Sequence, residues 1–218
     1  MLLKEAEWVA GFLAGQDQST LMPVLNLGSS TLHFRERVQP FLDRLIFRPM
    51  RHRGIRIIHA DLKADTGVDI AVDIMDDDGF EQLRRLEVKT ILCCNILEHV
   101  PSALAIAERL TALLPSGGTL VVTVPNSFPY HPDPIDTLFR PSVDELAALF
   151  PQLSLRESRL VIGPTLGEEL RERPREFVRR LIRSAIPLPR FGGWLSVMHH
   201  WRWLFAPYKV SCAIFEKS

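Results

Sequence analysis

The feature that most constrains the fold is an alternation, between residues 24 and 125, of short apolar runs with segments of helical periodicity. Each run is short and bounded by turn residues, which is typical of a strand rather than a buried helix. The run TILCCNIL is apolar throughout, as in strands covered on both faces. Strands that alternate with helices are joined by right-handed crossovers, so the pattern predicts an α/β fold with a doubly wound, mostly parallel sheet.

Two further strand-like runs, at 153–162 and 209–217, bring the predicted sheet to seven strands. The helix predicted over 34–51 contains Pro40, which should kink or break it. Residues 164–207 are rich in arginine and aromatic residues, and they are predicted to form a helical insertion before the last strand.

Length and composition indicate one ordinary globular domain. A chain of 218 residues suits a single core, so 1–218 is predicted as one domain with its core in 22–150, and a core with an appended helical insertion is the alternative. With 46% hydrophobic and 24% charged residues, the chain is neither disordered nor fibrous. The formal net charge is zero, so nucleic acid is not expected as a partner.

The N-terminal residues and the cysteines both predict a cytoplasmic protein. Acids follow one early lysine, unlike a secretory leader, and no apolar run reaches the ~20 residues that span a bilayer. Cys93, Cys94 and Cys212 lie in strand-like runs without a CxxC spacing, so buried and inert thiols are expected.

Polar residues cluster at the C-terminal ends of the predicted strands. Ligands of an open parallel sheet bind outside these ends, so these residues form the candidate site. They are Asn26, Gly28, Ser29 and Ser30 after the first strand, Asp61 after the second, Asp73 and Asp76 after the third, and Asn95, Glu98 and His99 after the fourth.

The turn after the first strand favours a nucleoside ligand but not a dinucleotide. Gly28 would let the backbone approach a ligand closely, and Asp61 could accept hydrogen bonds from both hydroxyls of a ribose. A dinucleotide fingerprint needs two further glycines, and GSSTLH supplies neither. The structural alternatives are that Gly28 only turns the chain and that Asp61 and Asp73 are capping or solvated acids.

Five motifs, in order, resemble those of class I S-adenosylmethionine-dependent methyltransferases: VLNLGSS, HADL, VDIAVDI, CCNILEHV and PSGGTLVVTVPN. The resemblance covers about residues 22–150, and LEHV followed by LLPSGGTLVVTVPN is its most specific part, being similar to small-molecule methyltransferases. It implies a Rossmann-like methyltransferase fold, S-adenosylmethionine as the cofactor and a small-molecule acceptor.

The resemblance also implies roles for individual residues. The cofactor-binding residues would be Gly28 and Ser29 against the methionine portion, Asp61 on the ribose, Asp73 and Ile74 beside the adenine, and Asn95 and Ile96 beside the sulfonium. Glu98 and His99 would face the acceptor.

Three positions depart from the family pattern. Asn26 stands where the family usually has an acid, and Ser30 and Leu32 stand where it usually has glycines. These departures motivate a second hypothesis, namely a catalytically inactive, methyltransferase-like partner or scaffold subunit.

Methyl transfer needs mainly alignment of the acceptor, and it needs a base only where the acceptor carries a proton. His99 and His131 are the candidate catalytic bases because imidazole titrates near neutral pH. Capping of the next helix by His99 and its neighbour Glu98 is the structural alternative.

The loop HPDPIDTLFR places His131, Asp136 and Arg140 on the predicted substrate side, where Glu98 is expected as well. These loop residues could instead only staple the loop. No metal site is predicted, because a site built from Glu98, His99 and His131 lacks the support of an i, i+4 histidine pair on a helix.

Residues 164–207 carry more basic than acidic residues, together with several aromatic ones. A lid over the acceptor pocket or a homodimer face is the favoured interpretation of this segment. An interfacial membrane contact is the minority alternative.

Overall fold

Seven strands form one sheet in the computed structural model, which describes residues 1–133, 135–172, 175, 178–179 and 201–218. The strands are β1 (Val24–Leu27), β2 (Ile57–Asp61), β3 (Ile70–Ala71), β4 (Thr90–Cys94), β5 (Thr119–Ser127), β6 (Ser154–Thr165) and β7 (Pro207–Glu216). They lie in the order β3-β2-β1-β4-β5-β7-β6. The pairs from β3 to β5 are parallel, and β7 is antiparallel to both β5 and β6. The predicted seven-stranded, mostly parallel sheet is therefore confirmed.

Helices cover this sheet: α1 (Leu3–Ala14), α2 (Gln18–Leu21), α3 (Pro40–Leu42), α4 (Arg48–His52), α5 (Asp77–Arg84), α6 (Ala103–Leu113), α7 (Val143–Ala148) and α8 (Leu166–Glu172). Four of them begin at side-chain caps, including α8, where Oγ1 of Thr165 accepts a hydrogen bond from the N–H group of Glu168 at 3.1 Å. Asp76 accepts a hydrogen bond from an N–H group of α5, and Ser102 and Ser142 do so for α6 and α7. Such caps satisfy N–H groups that have no partner inside the helix, which accounts for where these helices start.

The predicted helix over 34–51 is broken, as Pro40 indicated. Pro40 begins α3, and Gln39 before it has φ −124° and ψ 68°, outside the helical region that a following proline disfavours. On either side of α3 the chain forms π-helical turns, Phe34–Val38 and Asp43–Phe47.

The third strand is shorter than the sequence indicated, because the predicted run over 68–74 pairs with β2 only at Ile70–Ala71. Asp73 then accepts a hydrogen bond from the backbone N–H of Met75 at 2.8 Å, and this bond turns the chain toward α5.

The central strands β1, β4 and β5 are buried on both faces of the sheet, and alternate residues along each strand point to opposite faces. On one face Leu25, Ile91 and Leu120 join the core beneath α5, α6 and α7. On the other face Val24 and Leu92 join a core made with α1 and the helical segments before β2. This two-sided packing fixes the strands whose C-terminal ends carry the polar residues. Cys93 and Cys212 are buried, Cys94 is half-buried, and all three are unpaired.

The described part of the predicted insertion is helical. It consists of α8 and a 3₁₀ turn at Trp201–Leu204, and Leu166, Leu170 and Trp203 pack with Tyr208 of β7. The two ends of 164–207 belong to β6 and β7, and most of its other residues, including 180–200, lie outside the described residues. Within the described residues, no helix combines the length and the apolar character that crossing a membrane requires.

Candidate functional site

A cavity of about 470 Å³ opens at the C-terminal ends of β1 and β4, beside α1. Small-molecule sites measure roughly 300–1,000 Å³, so this cavity could take one small ligand or part of a larger one. Its polar wall includes Glu5, Asn26, Ser29, Ser30, Asn95, His99, His131 and Asp133. Of the residues predicted from the sequence, the cavity brings together Asn26, Gly28, Ser29, Ser30, Asn95, His99 and His131. The others, Asp61, Asp73, Ile74, Ile96, Glu98, Asp136 and Arg140, do not line it.

The turn after β1 places Gly28 at φ 63° and Ser30 at φ 53°, both in the left-handed region. A Cβ atom on Gly28 would lie 2.7 Å from Cδ1 of Ile96, so the two residues are packed directly against each other. A side chain in the left-handed region costs about 1 kcal/mol. At Ser30 a hydrogen bond from its N–H group to Oδ2 of Asp61, 2.7 Å long, offsets that cost. Ser30 thus keeps the backbone conformation for which glycine is usually chosen.

Arg35, which the sequence analysis did not single out, ties this turn to the neighbouring loop. Its buried guanidinium donates to the carbonyl oxygens of Ser29 at 2.8 Å, Ser30 at 2.6 Å and Gly67 at 2.6 Å. Leu32 packs closely against Gly67. A Cβ atom added to Gly67 would lie 2.5 Å from the Cβ atom of Leu32. Leu32 therefore occupies space between the two loops.

The acids predicted for the adenosine end lie near the edge of the sheet. Asp61 accepts hydrogen bonds from the N–H groups of Ser30 at 2.7 Å and Lys63 at 3.3 Å, and lone pairs remain on both carboxylate oxygens. Asp73 is exposed. Ile74 belongs to the hydrophobic core with 5% exposure, so only its backbone could face an adenine ring.

Glu5 is a fully buried carboxylate on the cavity wall that the sequence analysis missed. Its Oε1 accepts a hydrogen bond from Nδ2 of Asn95 at 2.8 Å, and its Oε2 accepts one from the N–H group of Leu2 at 2.9 Å. The available signal was an acid on the apolar face of α1, four residues before buried Val9. A carboxyl group is thereby fixed at the end of β4.

Asn26 pairs with His59 on the adjacent strand, and its Nδ2 lies 3.0 Å from Nδ1 of the imidazole. The amide can donate only to an unprotonated Nδ1, so this contact requires neutral His59. Burial and the nearby Arg35 guanidinium lower the pKa of His59 to about 4. An acid at position 26 would instead stabilise the charged form of His59. The replacement of the family's usual acid by Asn26 therefore has a structural role.

His59 is expected to make stability depend on pH. An unfolded histidine has a pKa near 6.5, so below that pH the unfolded chain binds a proton that folded His59 does not, and stability falls as pH drops. The His59→Gln variant keeps an acceptor for Asn26 but does not titrate. Its free energy of unfolding should fall about 2 kcal/mol less than that of the wild type between pH 7 and pH 5. Urea denaturation at both pH values measures this difference, and equal losses in the two proteins would contradict the assignment.

Glu98, His99 and His131 lie together beside the cavity, with one ligand atom of each within 4.8 Å of the others. The Glu98 side chain has no exposed surface, burial raises its pKa to about 8, and neither carboxylate oxygen has a hydrogen-bond partner among the described residues. Nδ1 of His99 lies 2.6 Å from the carbonyl oxygen of Ile135, and Nδ1 of His131 lies 2.9 Å from that of Pro129. Since a carbonyl only accepts, both Nδ1 atoms carry a proton, and in the neutral form of each ring Nε2 keeps a lone pair.

Asp136 and Arg140 hold the loop that carries His131. Nη2 of Arg140 donates to Oδ2 of Asp136 at 2.6 Å, and the N–H groups of His131 and Leu138 donate to the same carboxylate at 3.0 and 2.8 Å. Burial opposes ionisation of Asp136, but these hydrogen bonds outweigh it and lower its pKa to about 2. Such a set of partners supports stapling of the loop, the alternative that the sequence left open.

No protein-family model matches the chain, and no curated protein sequence matches it. Solved structures match it over nearly its whole length. A protein from Galdieria sulphuraria described as a sarcosine dimethylglycine methyltransferase superposes with a TM-score of 0.57 at 15% identity, over 99% of this chain and 85% of that one. Coclaurine N-methyltransferase, solved with N-methylheliamine and S-adenosylhomocysteine, superposes with a TM-score of 0.54 at 13% identity, over 97% of this chain and 72% of that one. The chain has the methyltransferase fold.

The methyltransferase fold predicted from the motifs is thus confirmed, but the same fold also carries other chemistry. The [4+2]-cyclase SpnF superposes with a TM-score of 0.53 at 13% identity, over 97% of this chain and 81% of that one. At such low identities the likeness establishes the fold, and function has to be argued from the site.

Proposed function

We propose that the protein is an S-adenosylmethionine-dependent methyltransferase that acts on a small-molecule acceptor. The observation that carries this proposal is the cavity at the ends of β1 and β4. Ser30 lies on its wall, and the N–H group of Ser30 donates a hydrogen bond to the Asp61 carboxylate. Ligands of open parallel sheets bind at this edge, and an acid at the end of the second strand is placed for a ribose.

The side chains at this edge fit the three parts of the cofactor. Asp61 keeps free lone pairs that can accept hydrogen bonds from ribose hydroxyls. Gly28 and Ser29 present backbone to the methionine portion, and the buried carboxylate of Glu5 suits its ammonium group. When bound, S-adenosylmethionine supplies an electrophilic methyl group on its sulfonium. The adenine would lie toward the exposed side of the sheet, near Asp73.

The acceptor would bind at the other end of the cavity, beside His99 and His131. Burial lowers the pKa of His131, so its imidazole is neutral at pH 7 and Nε2 can take a proton from a hydroxyl or an amine. Phe34 and Phe128 on the wall exclude water and help to hold the acceptor in line with the methyl group.

The inactive-scaffold hypothesis rested on Asn26, Ser30 and Leu32, and the structure gives each of them a structural role. Asn26 pairs with His59, Ser30 keeps the left-handed turn, and Leu32 packs against Gly67. Because the cavity persists despite these departures, they supply no argument for lost binding. A lid or homodimer face formed by 164–207 stays a prediction.

Calorimetric titration of the full chain with S-adenosylmethionine and S-adenosylhomocysteine tests the proposal. We expect one site with a dissociation constant of roughly 1–100 μM. Adenosine, which lacks the methionine that Glu5 and Ser29 would bind, should bind more weakly. No binding of either S-adenosyl compound at about 1 mM would overturn the proposed function.

A further inference from the structure

We propose that Glu98, His99 and His131 form a binding site for a divalent transition-metal ion at the acceptor end of the cavity. The three side chains come from the 3₁₀ turn Leu97–His99 after β4 and from the loop after β5. The assignment revises the sequence-based prediction that the chain has no metal site.

The Glu98 carboxyl group lacks the partners that a buried acid normally has. Its side chain is completely buried, yet neither oxygen has a hydrogen-bond partner among the described residues. A buried carboxylate without partners is costly, and such groups in folded proteins are normally paired or coordinate a metal. Its Oε1 lies 3.7 Å from Nε2 of His99, so it faces the other members of the cluster.

The two imidazoles are oriented as metal ligands usually are. Both rings donate Nδ1–H to a backbone carbonyl, that of Ile135 for His99 and that of Pro129 for His131. Metal-binding histidines almost always donate their second ring nitrogen in this way, which fixes the tautomer and aims the other nitrogen at the ion. The cluster thus has both its ligand atoms and their supporting partners.

The three side chains also match a known set of metal ligands. Two imidazoles and one carboxylate are the ligands of one class of catalytic zinc site, which keeps a further position for water or substrate. Ligand atoms on one tetrahedral ion lie roughly 3.3 Å apart, so shifts of about 1 Å would close the present cluster.

The charges around the cluster permit a cation. Arg140 acts electrostatically on Glu98, but its Nη2 is bound at 2.6 Å by the Asp136 carboxylate. The Arg140–Asp136 pair is neutral as a whole, so it places no net positive charge beside the ligands. Glu98 would supply its negative charge on metal binding, which displaces the proton of a ligand carboxyl.

The site indicates the class of acceptor, an inference that rests on the proposed function. His99 and His131 line the cavity, so the open position of the ion faces it. A hydroxyl or phenol oxygen bound there would lose its proton to solvent more readily. Its electron pair would then form the O–C bond while the C–S bond of the methyl donor breaks and the thioether leaves. In that case the ion occupies both Nε2 lone pairs, and the imidazoles act as ligands rather than as bases.

Zinc titration of the full chain tests the site without any S-adenosyl compound. We expect the wild type to bind one equivalent of Zn²⁺ in calorimetry. Glu98→Gln and His131→Asn should each weaken binding at least roughly 100-fold, because loss even of an outer-shell partner costs 10–100-fold. His52→Asn is the matched control, since His52 is an exposed histidine on α4. Circular dichroism confirms that each variant is folded, and the half-exposed position of His131 provides a second test if Glu98→Gln does not fold.

Failure of the wild type to bind Zn²⁺ at about 100 μM, or wild-type affinity in both folded ligand variants, would overturn the metal site. Titration with S-adenosylhomocysteine in the same buffer separates this result from the proposed function. Cofactor binding without zinc binding removes only the metal site, and zinc binding without cofactor binding removes only the proposed function.

Discussion

Replacing Gly28 with alanine is expected to lower the free energy of unfolding by about 3 kcal/mol. The left-handed backbone at φ 63° accounts for about 1 kcal/mol of this loss. The overlap of the new Cβ atom with Ile96, 2.7 Å away, accounts for about 2 kcal/mol, because the Ile96 side chain has to move. Since Gly28 also lines the cavity, affinity for S-adenosylhomocysteine should fall in any folded fraction. Urea denaturation and calorimetry measure the two effects.

Gly117→Ala is the matched control for this change. Gly117 also has a positive φ, 73°, but nothing lies within 4 Å of the position that its Cβ atom would occupy. The control should therefore lose only the backbone contribution of about 1 kcal/mol and keep full affinity for the cofactor. Equal losses of stability in the two variants would show that Ile96 is not packed against the turn.

Changing Asp61 to asparagine is expected to weaken binding of S-adenosylhomocysteine roughly 100-fold, because hydrogen bonds to a charged acceptor contribute about 1.5–3 kcal/mol each. The amide oxygen can still accept from the Ser30 N–H group, so the turn should stay folded. The loss should therefore appear in affinity rather than in stability, which calorimetry and thermal unfolding distinguish.

Asp69→Asn provides the control for Asp61. Asp69 is an exposed carboxylate just before β3, and its Oδ2 accepts a hydrogen bond from the N–H group of His59 at 2.8 Å. Asparagine can make the same bond, and position 69 has no role in the proposed site. We expect the affinity of Asp69→Asn for S-adenosylhomocysteine to stay within about twofold of that of the wild type. Comparable weakening in both variants would mean that the Asp61 effect is one of general charge rather than ribose binding.

The central strands could be predicted because burial on both faces leaves a continuous apolar run, as in TILCCNIL for β4. The edge strand β3 was overestimated, since the alternating run over 68–74 looks like a strand while Asp73 turns the chain. Pro40 predicted the break before α3, because the ring constrains the backbone locally. The π-helical turn Asp43–Phe47 packs against α1, and neither flanking turn carries a comparable local signal.

At the candidate site, the rule that ligands bind at strand ends was enough to select Gly28 and Asn95. It could not select Glu5 or Arg35, because neither follows a strand and each makes a hydrogen bond to a residue far away along the chain. The Glu5–Asn95 hydrogen bond spans 90 residues, and the bond from Arg35 to Gly67 spans 32. Such contacts follow from tertiary packing, for which a buried charge on a helix is only an indirect indicator.

A crystal structure of the protein with S-adenosylhomocysteine tests the central claim most directly. We expect the ribose hydroxyls on the carboxylate of Asp61, and the methionine portion in the cavity between Gly28, Ser29 and the Glu5–Asn95 pair. The thioether sulfur should then face His99 and His131. Binding of the ligand at another edge of the sheet, or with its ribose away from Asp61, would contradict the proposed site.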